Sequence, residues 1–282
     1  MENREVPQRT GPLPVQFIPQ ARYQCGPAAL GMALDWVGAG TDAETLAGEV
    51  YTPALTGSLT LSLVTAARRH GTLAHPIGSV DELFLELAAG HPVIVLQNLA
   101  FSWLPRWHYA LVIGYDLGES AVFLHTGRTA ARSVSLDTFA RTWSRADNWG
   151  LVVLAPGTLP ASATERSYLE SVVGLEQTGN WKASARCYQA ALERWPRSVT
   201  ANVALGNAWY RLGELEKAAA SYRRAVTIDP SYAPAYNNLA HVLAELGQVG
   251  EATVAARTAV DLGGPLSATY ERTLQEIATP LP

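Results

Sequence analysis

Three glycines, Gly179, Gly213 and Gly247, stand 34 residues apart, and that period limits the possible folds more than any other feature of the chain. Around them run GNWKASARCYQAALERWP, GELEKAAASYRRAVTIDP and GQVGEATVAARTAVDLGG. In register, Tyr188, Tyr222 and Ala256 align, then Ala191, Ala225 and Ala259, then Pro196, Pro230 and Gly264. A glycine turn between two helical runs, repeated at this spacing, describes a stack of helix pairs. Small alanines let the paired helices approach closely, the aromatic fills the remaining gap, and the proline closes each unit.

The period is that of tetratricopeptide repeats. It predicts three units, 165–198, 199–232 and 233–264, with LSATYERTLQEIA as a terminal capping helix. Stacked helix pairs form a groove that holds an extended peptide or a partner helix. A short array can equally serve only to buttress a neighbouring domain, and the sequence leaves both roles open.

Before the repeats, APGTLPASATE supplies a proline- and serine-bearing linker, taken as 156–164. Residues 1–155 read differently. CGPAALGMALDWVG and SLTLSLVTAARRHG have apolar residues at helical spacing and end on glycine. TDAETLAGEV opens with a capping box from Thr41 to Glu44, and SVDELFLELAAG with one from Ser79 to Glu82. Short β-rich runs follow: PVIVLQNL, HYALVIGYD, AVFLHTG and GLVVLA. Helical runs followed by strands give the α+β order.

Composition narrows the function. A net charge of −4 with no basic run argues against nucleic acid or anionic lipid as a partner. Two cysteines cannot frame a disulfide-held module. No apolar run is long enough for a transmembrane helix. The start, MENREVPQRTGPLPVQ, lacks the pattern of an export signal.

Cys25 is the residue that invites chemistry. Pro27 sits where a first-turn proline belongs, so the cysteine is expected at a helix N-terminus, facing free amides and the positive end of the helix dipole. Such a site favours a nucleophilic thiolate. Gly26 would leave room for a substrate backbone. Gln20 could donate its side-chain amide to an oxyanion, and Tyr23 and Gln24 could line the entrance. A thiolate nucleophile needs an acid/base partner, for which histidine is suited. His108 begins the run HYALVIGYD, directly after the aromatic stretch FSWLPRW, and His125 lies on the next strand. Trp103, Leu104 and Trp107 are either core or the wall of a hydrophobic substrate groove. Inside the repeats, Cys187 reads as a packing residue and His241 as a solvated or packing one. Zinc ligation by Cys25, His108 and His125 lacks the usual short-range ligand spacings, so neither metal nor organic cofactor is expected.

PQARYQCGPAAL followed by WHYALVIGYD resembles the papain-like double-glycine-leader peptidases, the cysteine peptidases that mature bacteriocin precursors, over residues 12–155. The added repeats resemble a stand-alone bacterial subgroup. The resemblance implies a papain-like α+β domain with Cys25 as nucleophile, His108 as general acid/base and Gln20 as oxyanion donor. It also points to a periplasmic or lipoprotein-anchored location if an export signal has been trimmed; as given, the chain reads as cytoplasmic. Two departures stand out. The family glutamine lies six residues before the cysteine and here lies five before, with Pro19 in the expected place. The family also carries Asp-Pro on the strand after the histidine, where this chain reads LHTG. His125 is therefore expected to orient His108.

The reading is thus a thiol-dependent peptidase with a peptide or protein substrate presented by the repeats. Two alternatives stay open: an acyl transferase that resolves the same thioester with an amine or thiol, and a catalytically dead scaffold that binds partners through its repeats.

Overall fold

The computed structural model describes residues 6–20, 24–53 and 57–279. The chain divides into two compact units, residues 1–180 and 181–282.

The strands of the first unit are β1 (Arg9–Thr10), β2 (Tyr51–Thr52), β3 (Gly57–Ser58), β4 (Leu73–Ile77), β5 (Val93–Asn98), β6 (Trp107–Asp116), β7 (Ala121–Thr126), β8 (Thr129–Ser135) and β9 (Gly150–Leu154). Its helices are α1 (Cys25–Trp36), α2 (Ala43–Val50), α3 (Thr60–Arg69), α4 (Val80–Ala88), α5 (Leu136–Ser144) and α6 (Glu165–Glu176). β2 and β3 form a small ribbon. The other strands make one antiparallel sheet in the order β4-β9-β5-β6-β7-β8, with β1 paired to the end of β6.

Both faces of the sheet are covered, which explains why PVIVLQNL and HYALVIGYD are nearly continuous apolar runs. On one face Leu30, Met32 and Leu34 of α1 share a core with Ile94, Leu111, Ile113 and Leu151. On the other, the Phe84 ring of α4 lies tilted against Tyr115 with centroids 4.6 Å apart, and Gln97 of β5 donates to Thr142 of α5 at 2.6 Å. Residues Gly26 to Leu34 are buried without interruption, as for a helix surrounded by protein rather than lying on its surface.

Side-chain caps open α2, α4 and α6. Ser79 accepts from the Glu82 amide at 3.2 Å, as the capping box predicts. α2 differs from expectation. Asp42, not Thr41, is its cap, accepting from the Thr45 amide at 2.8 Å. Helical backbone begins at Ala43, so Glu44 falls one position too early to close a box with Thr41.

Residues 156–164, read as a linker, are tied to the first unit. The buried Glu86 of α4 accepts from the Ser162 amide at 2.7 Å, from its hydroxyl at 2.6 Å, and from His91 at 2.7 Å. α6, expected as the first helix of the first repeat, packs on β4 within this same unit. The contact centres on His75 and Ser171, 2.9 Å apart. The Ser171 hydroxyl donates to the Ser167 carbonyl at 2.9 Å, so His75 Nδ1 must carry the proton and donate.

The second unit holds α7 (Trp181–Arg194), α8 (Val199–Arg211), α9 (Leu215–Ile228), α10 (Ala233–Glu245), α11 (Val249–Leu262) and α12 (Ser267–Ala278). Within it α8 pairs with α9 and α10 with α11, each pair joined across one of the glycines of the 34-residue period. Gly213 and Gly247 have φ of +76° and +74°, the left-handed conformation that ends a helix and that side-chain-bearing residues resist. Ala218, Ala219, Ala252 and Ala256 line the shared core. Gly206 sits directly under the Tyr222 ring, whose hydroxyl donates to Asn207 at 2.7 Å. The terminal helix α12 is joined to α10 through Thr273 and His241 at 3.0 Å. No helix among the described residues is long and apolar enough to cross a membrane.

Burial holds His75 below its ordinary pKa of 6.5, and the charges of Glu86 and Glu82 only partly oppose this. The unfolded chain therefore binds a proton that the folded chain resists. This contribution to stability is complete above pH 6.5 and is lost as the pH falls below it. Urea unfolding of His75→Gln between pH 7.5 and 5 should show a shallower loss of stability with acid than the wild type. Parallel curves would contradict the assignment.

Candidate active site

Cys25 is the first residue of α1, with Gln24 as its N-cap and no side chain capping the first turn. The first-turn amides are thus left for other acceptors. The thiol is partly buried against the core that includes Tyr109. Burial raises the Tyr109 phenol far above its ordinary value, and the charge of Cys25 adds to the rise, which places the sulfur within electrostatic reach of β6. The room expected beside Gly26 is filled. A β-carbon there would lie 2.6 Å from Ser58 Oγ. The Ser58 carbonyl in turn accepts from the Tyr109 hydroxyl at 3.1 Å. Gly26 is therefore small so that β3 can press against the start of α1, which anchors that start to β6. Tyr23 lies outside the described residues.

Gln20 clamps the approach to α1. Its Nε2 donates to the Tyr109 carbonyl at 3.2 Å, its Oε1 accepts from the Gly127 amide at 3.0 Å, and its backbone amide donates to the Gly127 carbonyl at 2.9 Å. One amide hydrogen is thus committed to Tyr109, and the second remains for another acceptor.

His108 is the second residue of β6, and its Nε2 lies 2.7 Å from Thr126 Oγ1. Burial, with the charge of Arg106 adding, pushes the imidazole down to about 4. A neighbouring carboxylate would do the opposite.

His125 does not orient His108. Its Nε2 donates to the Val15 carbonyl at 3.0 Å, and its Nδ1 accepts from the Ala131 amide at 3.0 Å. Both nitrogens are used in holding the N-terminal segment and β8, and the ring packs 5.2 Å from Phe17. Zinc binding through this residue is closed off for the same reason. The signal that was missed is strand parity. Leu111 pairs with His125, and Val112 with Leu124. Up to the register slip after Val112, even-numbered residues of β6 therefore share a face with even-numbered residues of β7, and His108 shares one with Thr126.

The stretch between β5 and β6 is not core. Trp103 is 79% exposed and Trp107 53%. The structure thus gathers Gln20, His108 and Thr126 at one end of the β6–β7 hairpin, with Cys25 beside Tyr109, while His125 turns away to a structural role.

Residues 12–150 match the family model described as Peptidase_C39 like family. Residues 173–233 and 221–253 match two tetratricopeptide-repeat models. No functionally curated protein matches the chain. Among solved structures, a protein of Bacillus anthracis assigned as a C39-like peptidase is 18% identical with a TM-score of 0.46; the match covers 52% of this chain and 97% of that one. The Yersinia enterocolitica type III secretion chaperone SycD, in complex with a peptide of the translocator YopD, is 18% identical with a TM-score of 0.38, covering 40% and 91%. The first repeat domain of Spaghetti (RPAP3), bound to an HSP90 peptide, is 19% identical with a TM-score of 0.39, covering 40% and 90%. The chain therefore joins a C39-like domain, matched over residues 12–150, to a C-terminal array of tetratricopeptide repeats.

Proposed function

We propose that this protein is a cysteine peptidase in which Cys25 is the nucleophile, His108 the acid/base and Thr126 the residue that orients the histidine. The observation that carries the reading is the His108–Thr126 bond of 2.7 Å. With Nε2–H donated to the threonine, the Nδ1 lone pair is left to take the thiol proton. Successive strand residues face opposite ways. Tyr109 turns to α1, so this reading requires the sulfur and the imidazole to meet around the first residues of β6 rather than across its face.

At neutral pH an imidazole held near 4 is uncharged and ready to act as a base. Nδ1 accepts the Cys25 proton as the sulfur attacks the carbonyl carbon. The second amide hydrogen of Gln20 and the Cys25 backbone amide receive the oxyanion. The protonated Nδ1 then delivers its proton to the leaving amine as the C–N bond breaks, leaving a thioester. Water, deprotonated by the same nitrogen, attacks that thioester, and the carboxylic acid product and free thiol are released. The repeat array presents the polypeptide substrate.

The competing reading is a non-catalytic binding module. It draws on the replacement of an orienting carboxylate by Thr126. Trapping separates the two. Wild type and Cys25→Ala are incubated with complex peptide mixtures, and intact mass is measured after acid quench. The expected result is acyl adducts on Cys25 and new peptide termini with the wild type only. A thiol no more reactive than free cysteine, with no adduct and no cleavage, would favour the binding module.

The threonine also makes a pH prediction. The free enzyme needs neutral His108, so the acid limb of kcat/KM should lie near pH 4. Thr126→Asp should move that limb upward, because a carboxylate stabilises the imidazolium. Thr126→Val should keep the limb low and slow the reaction about tenfold, the worth of one neutral hydrogen bond. Identical pH profiles for all three would remove Thr126 from the mechanism.

A further inference from the structure

Between β5 and β6 the chain makes a loop whose backbone is held firmly and whose large side chains are not buried. Asn98, itself 1% exposed, accepts from the amides of Ala100 and Arg106 at 3.1 and 2.9 Å and donates to the Phe101 carbonyl at 3.3 Å. The Leu99 amide bonds the Arg106 carbonyl at 2.9 Å. Arg145, the C-cap of α5, donates to the Ala100 carbonyl at 2.7 Å. On this scaffold Phe101, Trp103, Leu104 and Trp107 are all more than half exposed. The Phe101 and Trp103 rings stack on each other, 5.6 Å apart and 11° from parallel. Removing side chains of this size from water is strongly favourable. A backbone so thoroughly bonded, holding such groups in water, is a preformed contact surface.

Its charge has one dominant sign. Arg106 lies on the loop and its charge is felt at His108. Arg128 follows Gly127, which Gln20 grips, and Arg145 holds the loop from below. The sequence has no aspartate or glutamate between Glu86 and Asp116, nor between Glu119 and Asp137. Asp147, two residues after Arg145, leaves the balance positive. This occurs in a chain whose net charge is −4. Trp107 runs directly into His108, so whatever covers the loop is continuous with the reacting centre.

Resting on the reading of the site given above, we infer that the loop is a substrate-selecting surface for extended peptide segments that carry a large apolar side chain beside carboxylates. The apolar residue lies against the Trp103 and Phe101 rings, and the arginines meet the acids and speed encounter.

The test uses full-length Cys25→Ala, so that binding is measured without chemistry. Three labelled octapeptides are compared by anisotropy: one with Phe-Leu flanked by glutamates, one with lysines for the glutamates, and one with serines for Phe-Leu. The first should bind about tenfold or more tightly than the others at low salt, with its lead over the lysine peptide shrinking as salt rises. Adding Trp103→Ser should weaken the first peptide about tenfold, and Arg128→Gln should reduce only the salt-sensitive part, both with unchanged unfolding midpoints. Equal binding of the three peptides, or binding indifferent to Trp103→Ser, would overturn the inference. So would sedimentation with phosphatidylglycerol-containing vesicles that depends on Trp103 while no peptide binds. A peptide that binds selectively but is not cut by the wild type would defeat the peptidase reading alone. Cleavage with no dependence on the loop would defeat the substrate assignment alone.

Discussion

The burial of α1 against β6 fixes the position of everything at the site. From Gly26 to Leu34 the helix has no solvent-facing residue, and Leu30, Met32 and Leu34 each contribute about 1.5–3 kcal/mol by complete burial. A helix packed on all sides cannot slide or rotate without opening cavities. Its first residue, Cys25, is held accordingly. Gly26 pressed on Ser58, Ser58 bonded to Tyr109, and Gln20 bridging Tyr109 and Gly127 then register that helix start against the end of the β6–β7 hairpin. The candidate site is thus assembled mostly by neighbours, Ser58, Tyr109 and Gly127, to which no chemical role is assigned.

The His108–Thr126 pair gives this site a chemical character of its own. A hydroxyl fixes the ring as well as a carboxylate would, but it brings no charge to stabilise an imidazolium. Burial and Arg106 then keep the ring neutral. On the proposed reading, such a site would work through a neutral base that is protonated only during the reaction, instead of through a resting ion pair between sulfur and imidazole.

Much of this was legible in the sequence because the physics is local. The repeats show themselves because each unit needs the same left-handed glycine and the same small residues at the helix contact. Cys25 at a helix start could be read from Pro27 alone. What stayed hidden depended on the pairing of distant segments. β4 reads LAHPI, where a histidine and a proline mask a strand whose apolar character comes only with its burial against β9 and α6. α5 carries no side-chain cap bond to announce its start. His125 looked the better partner by residue type. A register slip between Val112 and Gly114, together with the alternation of strand faces, makes Thr126 the neighbour instead. The exposure of Trp103 and Trp107 could not be read from composition, since the same residues would serve equally well in a core.

The central claim, that sulfur and imidazole act together around the end of β6, is tested most directly by the rate at which Cys25 is alkylated by iodoacetamide as pH varies, in the wild type and in His108→Asn. Peptide mapping confines the readout to this one thiol. If the pair exists, removing the imidazole should slow alkylation at neutral pH about tenfold or more and leave the pH dependence of an isolated thiol. Superimposable profiles for the two proteins would mean that the histidine does not act on the sulfur, and the proposed chemistry would be wrong.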